Sequence, residues 1–396
     1  MNFVFISPHF PENYWNFCDR LRANGVNVLG IGDAPYETLP ALLKSALTEY
    51  YRVDNMENYD EMLRAMGFFT FKYGKIDWVE SNNEYWLEQD ARLRTDFNIT
   101  TGIKSAEIEK FKRKSVMKTY YQKAGIPTAR WCVTADVTEA QAFAKTVGWP
   151  VIAKPDNGVG ASHNFKITND EELAAFYKQR HEGVVYIMEE FVNGEVCSYD
   201  AIIDSKGNIL FETGNVTPGS IMDMVNQSDD CKFYIVKDLP EDTKRAGRAT
   251  VKAFGVKSRF VHFEFFRLRQ DQKGLGRRGE IMALEVNMRP CGGFGPDMMD
   301  YANSTDVYKI WADMIAFDRS TKPEGAHAFC AYVGRRDGKQ YQLSHEEILS
   351  RYGDAVRMSG RLPDALSVAM GNQFYMATFP EMAEVEAFFA AVSALV

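Results

Sequence analysis

The chain has 396 residues, 45% of them hydrophobic and 25% charged, with a formal net charge of −8. That length supports a sizeable core and about two to four domains. The mildly acidic balance argues against a general nucleic-acid or membrane-surface binder, and no apolar run approaches the ~20 residues needed to span a bilayer. The six cysteines are scattered, with no Cys-x-x-Cys, so neither a zinc site nor a disulfide framework is expected. The N-terminus is too short and lacks the basic start of a signal peptide; the expected compartment is the cytoplasm.

In chain order, Phe3–Ile6 reads as a strand, Asn13–Ala23 as a helix stopped by Gly25, and Val26–Ile31 as a second strand. Tyr50–Val53, a helix over Tyr59–Phe71 and a strand at Trp78–Ser81 continue a βαβ pattern, which implies a parallel sheet. The first β–α turn, Ser7-Pro8-His9-Phe10-Pro11-Glu12, has no glycine, so the dinucleotide fingerprint is absent. Glu80, Asn82 and Glu84 follow a strand's C-terminal end, where open α/β sheets place ligands. They are substrate-contact candidates against a plain reading as solvated loop residues.

Residues 105–124 form a basic helical region containing Lys110, Lys112, Arg113, Lys114 and Lys118, a pattern usually found on a solvated face. The strand Pro150–Lys154 runs into Asp156-Asn157-Gly158-Val159-Gly160, a short glycine loop suited to cradling phosphate with backbone N–H groups. The strand Val184–Met188 enters Glu189-Glu190-Phe191-Val192-Asn193-Gly194-Glu195. Val196–Ile203 and Ile209–Phe211 read as a hairpin, and the polar residues 213–232 as a long loop, a candidate substrate lid.

Val261–Phe266 and Ile281–Asn287 read as a second hairpin. Side chains alternate faces along a strand. His262, Glu264 and Phe266 then share one face; Ala283, Glu285 and Asn287 share one face of the other arm, with Met282, Leu284 and Val286 opposite. If Glu264 sits across from Glu285, two partly buried anions meet and require a cation between them. Oxygen-only ligands suit Mg²⁺ or Mn²⁺. The last ~75 residues read as a small α+β cap.

The order of these pieces resembles the ATP-grasp superfamily: Lys114 at a helix start, Lys154-Pro155 with Gly158 and Gly160, Met188-Glu189-Glu190-Phe191-Val192-x-Gly194-Glu195, Glu264, then Glu285-x-Asn287-x-Arg289. It looks most like the branch of biotin carboxylase, carbamoyl-phosphate synthetase and the carboxylate–amine ligases, over roughly residues 1–320. The resemblance implies a Rossmann-like N-terminal domain over 1–104, a two-lobed ATP-grasp domain over 105–320 with a lid at about 115–187, and the α+β cap over 321–396. Lys114 and Lys154 match the lysines that hold ATP phosphates, with a basic neighbour of Lys114 as the alternative contact. Glu189, Glu190, Phe191 and Val192 match the hinge that takes adenine through backbone atoms, and Glu195 matches the residue that accepts ribose hydroxyls. Glu264, Glu285 and Asn287 match the ligands of Mg²⁺, and Arg289 the arginine that clamps a phosphoryl or acyl-phosphate group. The plain alternative for Glu264 is a salt bridge to Arg267 or Arg289. His163, His262 and Cys291 stay outside the assignment, Cys291 because no base stands beside it in the sequence.

The short glycine loop and the lack of a biotinyl segment turn the expectation from biotin carboxylation towards ligation of small carboxylates, amino acids among them, to an amine. A carboxylate kinase or formyl-phosphate-type enzyme and a non-catalytic ATP-binding regulator are the alternatives. ATP, Mg²⁺ and small-molecule carboxylate and amine partners are implied, with no nucleic acid or membrane, and a homodimer.

Overall fold

The computed structural model of the chain describes residues 1–158, 164–219, 229–323 and 325–396. Its first unit is a parallel sheet of β1 (Asn2–Ile6), β2 (Asn27–Gly32), β3 (Glu49–Arg52) and β4 (Trp78–Glu80), in the order β3-β2-β1-β4. Alternation explains why both faces are covered. Phe3 and Phe5 face one core, and Val4 and Ile6 face another closed by Met62, Met66 and Phe69 of helix Tyr59–Tyr73.

A small antiparallel sheet follows, built from β5 (Trp131–Val133), β6 (Val151–Pro155), β7 (Phe165–Ile167) and β8 (Tyr186–Glu190), in the order β5-β8-β6-β7. Helices Val137–Val147 and Asp170–Gln179 cover it, and Ala140, Ala144, Val151, Leu173 and Phe176 give it a core of its own. Helix Lys114–Lys123 does not belong to this unit. Its Met117 and Tyr121 pack with Phe254, Val261 and Phe263 of the main body, so the separately packed lobe starts after this helix, later than residue 115.

The main body is a nine-stranded sheet among the described residues. It contains β9 (Gly194–Ile203), β10 (Ile209–Thr213), β11 (Asn215–Thr217), β12 (Cys231–Ile235), β13 (Arg259–Leu268), β14 (Ile281–Asn287), β15 (Phe329–Arg335), β16 (Val356–Arg361) and β17 (Gln373–Phe379). The order is β14-β13-β9-β11-β12-β15-β17-β16, with β10 on β9. One expectation changes here. The polar stretch 213–232 is not one long loop, because β11 lies within it; its residues 220–228 are outside the described set. The C-terminal segment, expected as an α+β cap, continues the main sheet: β15 pairs with β12 along Cys231↔Gly334 to Ile235↔Cys330.

Trp311, on helix Val307–Phe317, ties the N-terminal unit to this body, its ring 4.9 Å from that of Phe17 and 5.6 Å from that of Phe3. Among the described residues no helix is long and apolar enough to cross a membrane, and all six cysteines are free thiols.

Candidate active site

The site lies between the β9–β13–β14 edge of the main sheet and the small lobe. β13 and β14 pair with His262 opposite Asn287 and Glu264 directly opposite Glu285. The acidic face expected from alternation is therefore present. Its regularity ends one residue later: the register steps to Phe265↔Ala283 and Phe266↔Met282, leaving Leu284 unmatched. Such a bulge swaps the faces beyond it. Ala283 accordingly joins the core of Phe263, Phe265 and Val286, while Met282 sits with Val192, Leu268 and Ala129. An uninterrupted Met282–Leu284–Val286 face does not form.

The Lys114 ammonium links the two halves. It lies 3.1 Å from a Glu285 oxygen and donates to the Gly158 carbonyl at 3.1 Å. Burial opposes its charge, yet Glu285 outweighs burial and raises its pKa above the ordinary value. The glycine loop is anchored on the same helix end: Asp156 accepts the Ser115 N–H at 2.7 Å and the Ser115 hydroxyl at 2.8 Å, and its own carbonyl takes the Lys114 N–H at 2.9 Å. A carboxylate at a helix N-terminus satisfies donors that the helix leaves free. Gly160 and His163 lie outside the described residues.

Lys154, at the end of β6, lies 3.1 Å from one oxygen of Glu189, and Lys118 lies 3.1 Å from the other. Burial would raise the Glu189 pKa, but the two ammonium groups hold it down at about 2. Glu190 is buried as well and forms a two-pronged pair with Arg130, both contacts 2.6 Å. These side chains brace the hinge from within. Phe191 is beside Lys166, whose ammonium is 4.8 Å from its ring centre, and its carbonyl accepts from Gln272 at 3.1 Å. Val192 is buried with Met282 and Leu268, an apolar bed at the hinge.

Glu195 is not brought to this face. It is in register with Arg267, while Val196 is in register with Phe266, two residues along from Glu264. Alternation therefore points Val196 to the Glu264 side and Glu195 away from it, into a separate cleft of about 410 Å³ with Arg267, Arg269 and Arg278. Arg267 pairs with Asp242, so it is not the partner of Glu264.

Glu264 pairs with His262, Nε2 to carboxylate oxygen 3.5 Å, and His262 Nδ1 is 2.7 Å from buried Asp200. Burial works against a charged His262, but Asp200 overcomes it and lifts its pKa well above the ordinary value. Burial would raise the Glu264 pKa, and His262 with its charge lowers it instead. Ligating atoms of Asp200, His262 and Cys291 lie within 4.8 Å of one another. Burial nonetheless raises the Cys291 thiol pKa, the environment of an unreactive cysteine. Arg289 is partly buried and donates to the Pro290 carbonyl at 2.8 Å; of the carboxylates acting on it, Glu84 is the strongest and Glu264 follows.

Sequence reasoning named Lys118 only as a neighbour of Lys114. The signal was its spacing: four residues on, it shares the helix face that carries Lys114 into the cleft. Asp200 and Asp156 carried no such signal, since each acts through a partner distant in sequence.

Comparison with known proteins bears on this arrangement. Residues 112–215 match the family model of the phosphoribosylglycinamide synthetase ATP-grasp (A) domain. The stretch contains Lys114, Lys118, Lys154 and the hinge. Over those residues the chain is similar to an ATP-grasp domain. The L-arginine-specific L-amino acid ligase of Bacillus subtilis is 24% identical over 254 residues, which are 61% of this chain and 58% of that protein. The chain thus aligns with less than two thirds of that relative. Among solved structures, an L-amino acid ligase of Bacillus licheniformis superposes with a TM-score of 0.72 at 15% identity, over 98% of this chain and 95% of the other. The biotin carboxylase domain of Hydrogenobacter thermophilus 2-oxoglutarate carboxylase, solved with MgADP and bicarbonate, gives 0.69 at 17% identity, over 98% and 89%. At these identities the structural likeness establishes the fold.

Proposed function

We propose that this chain is an ATP-grasp enzyme, an ATP-dependent carboxylate–amine ligase. The observation that carries the reading is the position of the Lys114 ammonium, between Glu285 of the acidic hairpin and the carbonyl of Gly158. One cation spans the two surfaces that would enclose a triphosphate. The names of the Bacillus ligases and the MgADP of the carboxylase domain support the same direction.

The donor set fits a divalent cation. Glu264 and Glu285 face each other with Asn287 beside them, all hard oxygen donors, and Lys114 already supplies positive charge at this point. Those three residues would hold Mg²⁺, or Mn²⁺, which neutralises charge on phosphate oxygens when bound. The remaining work belongs to the chain. A substrate carboxylate oxygen attacks the γ-phosphorus of ATP, giving an acyl phosphate and ADP; an amine then displaces phosphate and forms the amide. Lys114, Lys154 and Arg289 spread the charge on the transferred group. The small lobe, closed on the helix end through Asp156, excludes water that would hydrolyse the acyl phosphate.

The test is ADP and phosphate release with Mg²⁺ over a panel of carboxylates, with and without amines. Amine-dependent turnover is expected. Acyl phosphate accumulating without amine would instead identify a carboxylate kinase. ATP binding without turnover on any substrate would identify a non-catalytic regulator. Glu285→Ala should lower turnover by on the order of 100-fold or more; near-normal Mg²⁺-dependent activity in that variant overturns the metal assignment.

A further inference from the structure

The loop after β4 contains buried polar atoms that the fold does not use. Glu80 at the strand end is fully engaged: it pairs with Arg94 at 2.9 Å and with Arg259, and accepts the N–H groups of Ser81 and Asn82 at 3.2 Å. Ser81 is likewise tied to Asp90 through its hydroxyl at 2.6 Å. Asn82 differs. It is 1% exposed and in the left-handed region with φ 52°, and its carbonyl accepts the Tyr14 hydroxyl at 2.8 Å. Yet neither Oδ1 nor Nδ2 of its amide has a hydrogen-bond partner. Glu84 is half engaged. Lys112 holds one carboxyl oxygen at 2.9 Å, and the other, Oε2, is buried with no partner. A buried polar atom without a partner carries its full desolvation penalty, so three of them in one loop mark a place where something polar belongs.

The place is defined by what surrounds it. Glu84 lies close enough to the Arg289 guanidinium to favour its charge, and so does Tyr14, whose hydroxyl holds the Asn82 carbonyl. The segment after Arg289 is pinned to the N-terminal unit: Asn13 donates to the Gly293 carbonyl at 3.1 Å and to Asp297 at 2.6 Å. Asn82 and Glu84 therefore sit on one side of a junction and Arg289 on the other.

We propose that Asn82 and Glu84 form the subsite for the ammonium group of an α-amino acid whose carboxylate is held by Arg289. The proposal rests on the ligase reading and deepens it by naming the substrate class. The unused atoms have the right polarity. Asn82 Oδ1 and Glu84 Oε2 are acceptors, and an ammonium offers three donors and no acceptor. Asn82 Nδ2 is a donor suited to a carboxylate oxygen on the same ligand. Burial raises the Glu84 pKa against the pull of Lys112 and Arg289, and an ammonium at its unpartnered oxygen would favour the charged carboxylate. An α-amino acid meets attraction at both ends.

The full-length protein tests this with each proteinogenic L-α-amino acid and its des-amino counterpart, such as L-alanine against propionate. Binding is read by calorimetry and ADP release by steady-state kinetics. Asn82→Gly removes the amide and suits the positive φ, so it should melt no lower than the wild type without ligand. Glu84→Gln keeps the shape and removes the charge. In the wild type, amino acids should outcompete their des-amino counterparts by about tenfold or more in Kd or KM. Each variant should raise the amino-acid KM by about 10- to 100-fold with a much smaller change in kcat; Glu84→Gln should leave des-amino acids unaffected, and Asn82→Gly should raise their KM less than it raises that of the amino acids. MgADP should raise the melting temperature of all forms alike, confirming the fold. If Glu84→Gln does not fold, Asn82→Gly decides alone. Turnover indifferent to the amino group, or unchanged KM ratios in the variants, overturns the subsite and leaves the ligase reading intact. Binding that depends on Glu84 or Asn82 without any turnover overturns the ligase reading and leaves the subsite. Absence of both binding and turnover overturns both.

Discussion

Glu189 shows how single residues prepare this site. Its two oxygens divide between Lys118 and Lys154, each at 3.1 Å, in a place where neither ammonium can reach bulk water. Removing one member of a buried cluster strands the others, so Glu189→Gln should cost about 3–5 kcal/mol in the free protein. The double change Glu189→Gln with Lys118→Met should recover much of that. The pH dependence follows from the lowered pKa. A carboxyl depressed from 4.5 to about 2 contributes stability that is fully present above pH 4.5 and is lost as pH falls through about 2. The drop corresponds to about 3 kcal/mol. Urea denaturation across this acid window should show a steep loss in the wild type and a shallower one in the double variant. Equal slopes would show that Glu189 does not carry this linkage.

At the scale of elements, helix Glu241–Phe254 supports the β9–β13 floor of the site, and Gly247 is where propensity and packing disagree. A glycine inside a helix costs about 1 kcal/mol relative to alanine. A Cβ at Gly247, however, would lie 2.0 Å from Cγ of the buried Tyr199 ring. Packing decides the sign: Gly247→Ala should destabilise by about 1–3 kcal/mol in chemical denaturation. An increase in stability would mean that helix and sheet separate easily. The same contrast explains what could be read from the sequence. Glu264 facing Glu285 followed from a period of two, because the alternation is regular up to that pair. The exchange at Leu284 did not, since a bulge is set by what each face packs against and leaves no mark in the strand's own pattern. The face taken by Glu195 was hidden for a related reason: its role came from spacing along a motif, while its direction comes from its register against Arg267.

At the scale of the whole molecule, the segment after residue 320 belongs to the fold that holds Arg289. β15 lies between β12 and β17, so its removal exposes the β12 edge as an unpaired strand. It also takes Tyr332, Phe374 and Met376 out of the core that contains Phe3, Trp311 and Phe294. Phe294 packs against Phe374 with ring centres 4.9 Å apart, and it stands five residues beyond Arg289. The sequence marked this segment as a cap because its own strands and helices form a plausible small unit. Pairing between β12 and β15, nearly a hundred residues apart, is a contact that local pattern does not report. A chain ending at residue 320 should therefore fail to fold cooperatively: insoluble on expression, or soluble with a broad melt and no rise in melting temperature on adding MgADP. If that truncated chain melts sharply and MgADP still stabilises it, the C-terminal segment is separable and the contacts of Asn13 with Gly293 and Asp297 suffice to place the segment after Arg289.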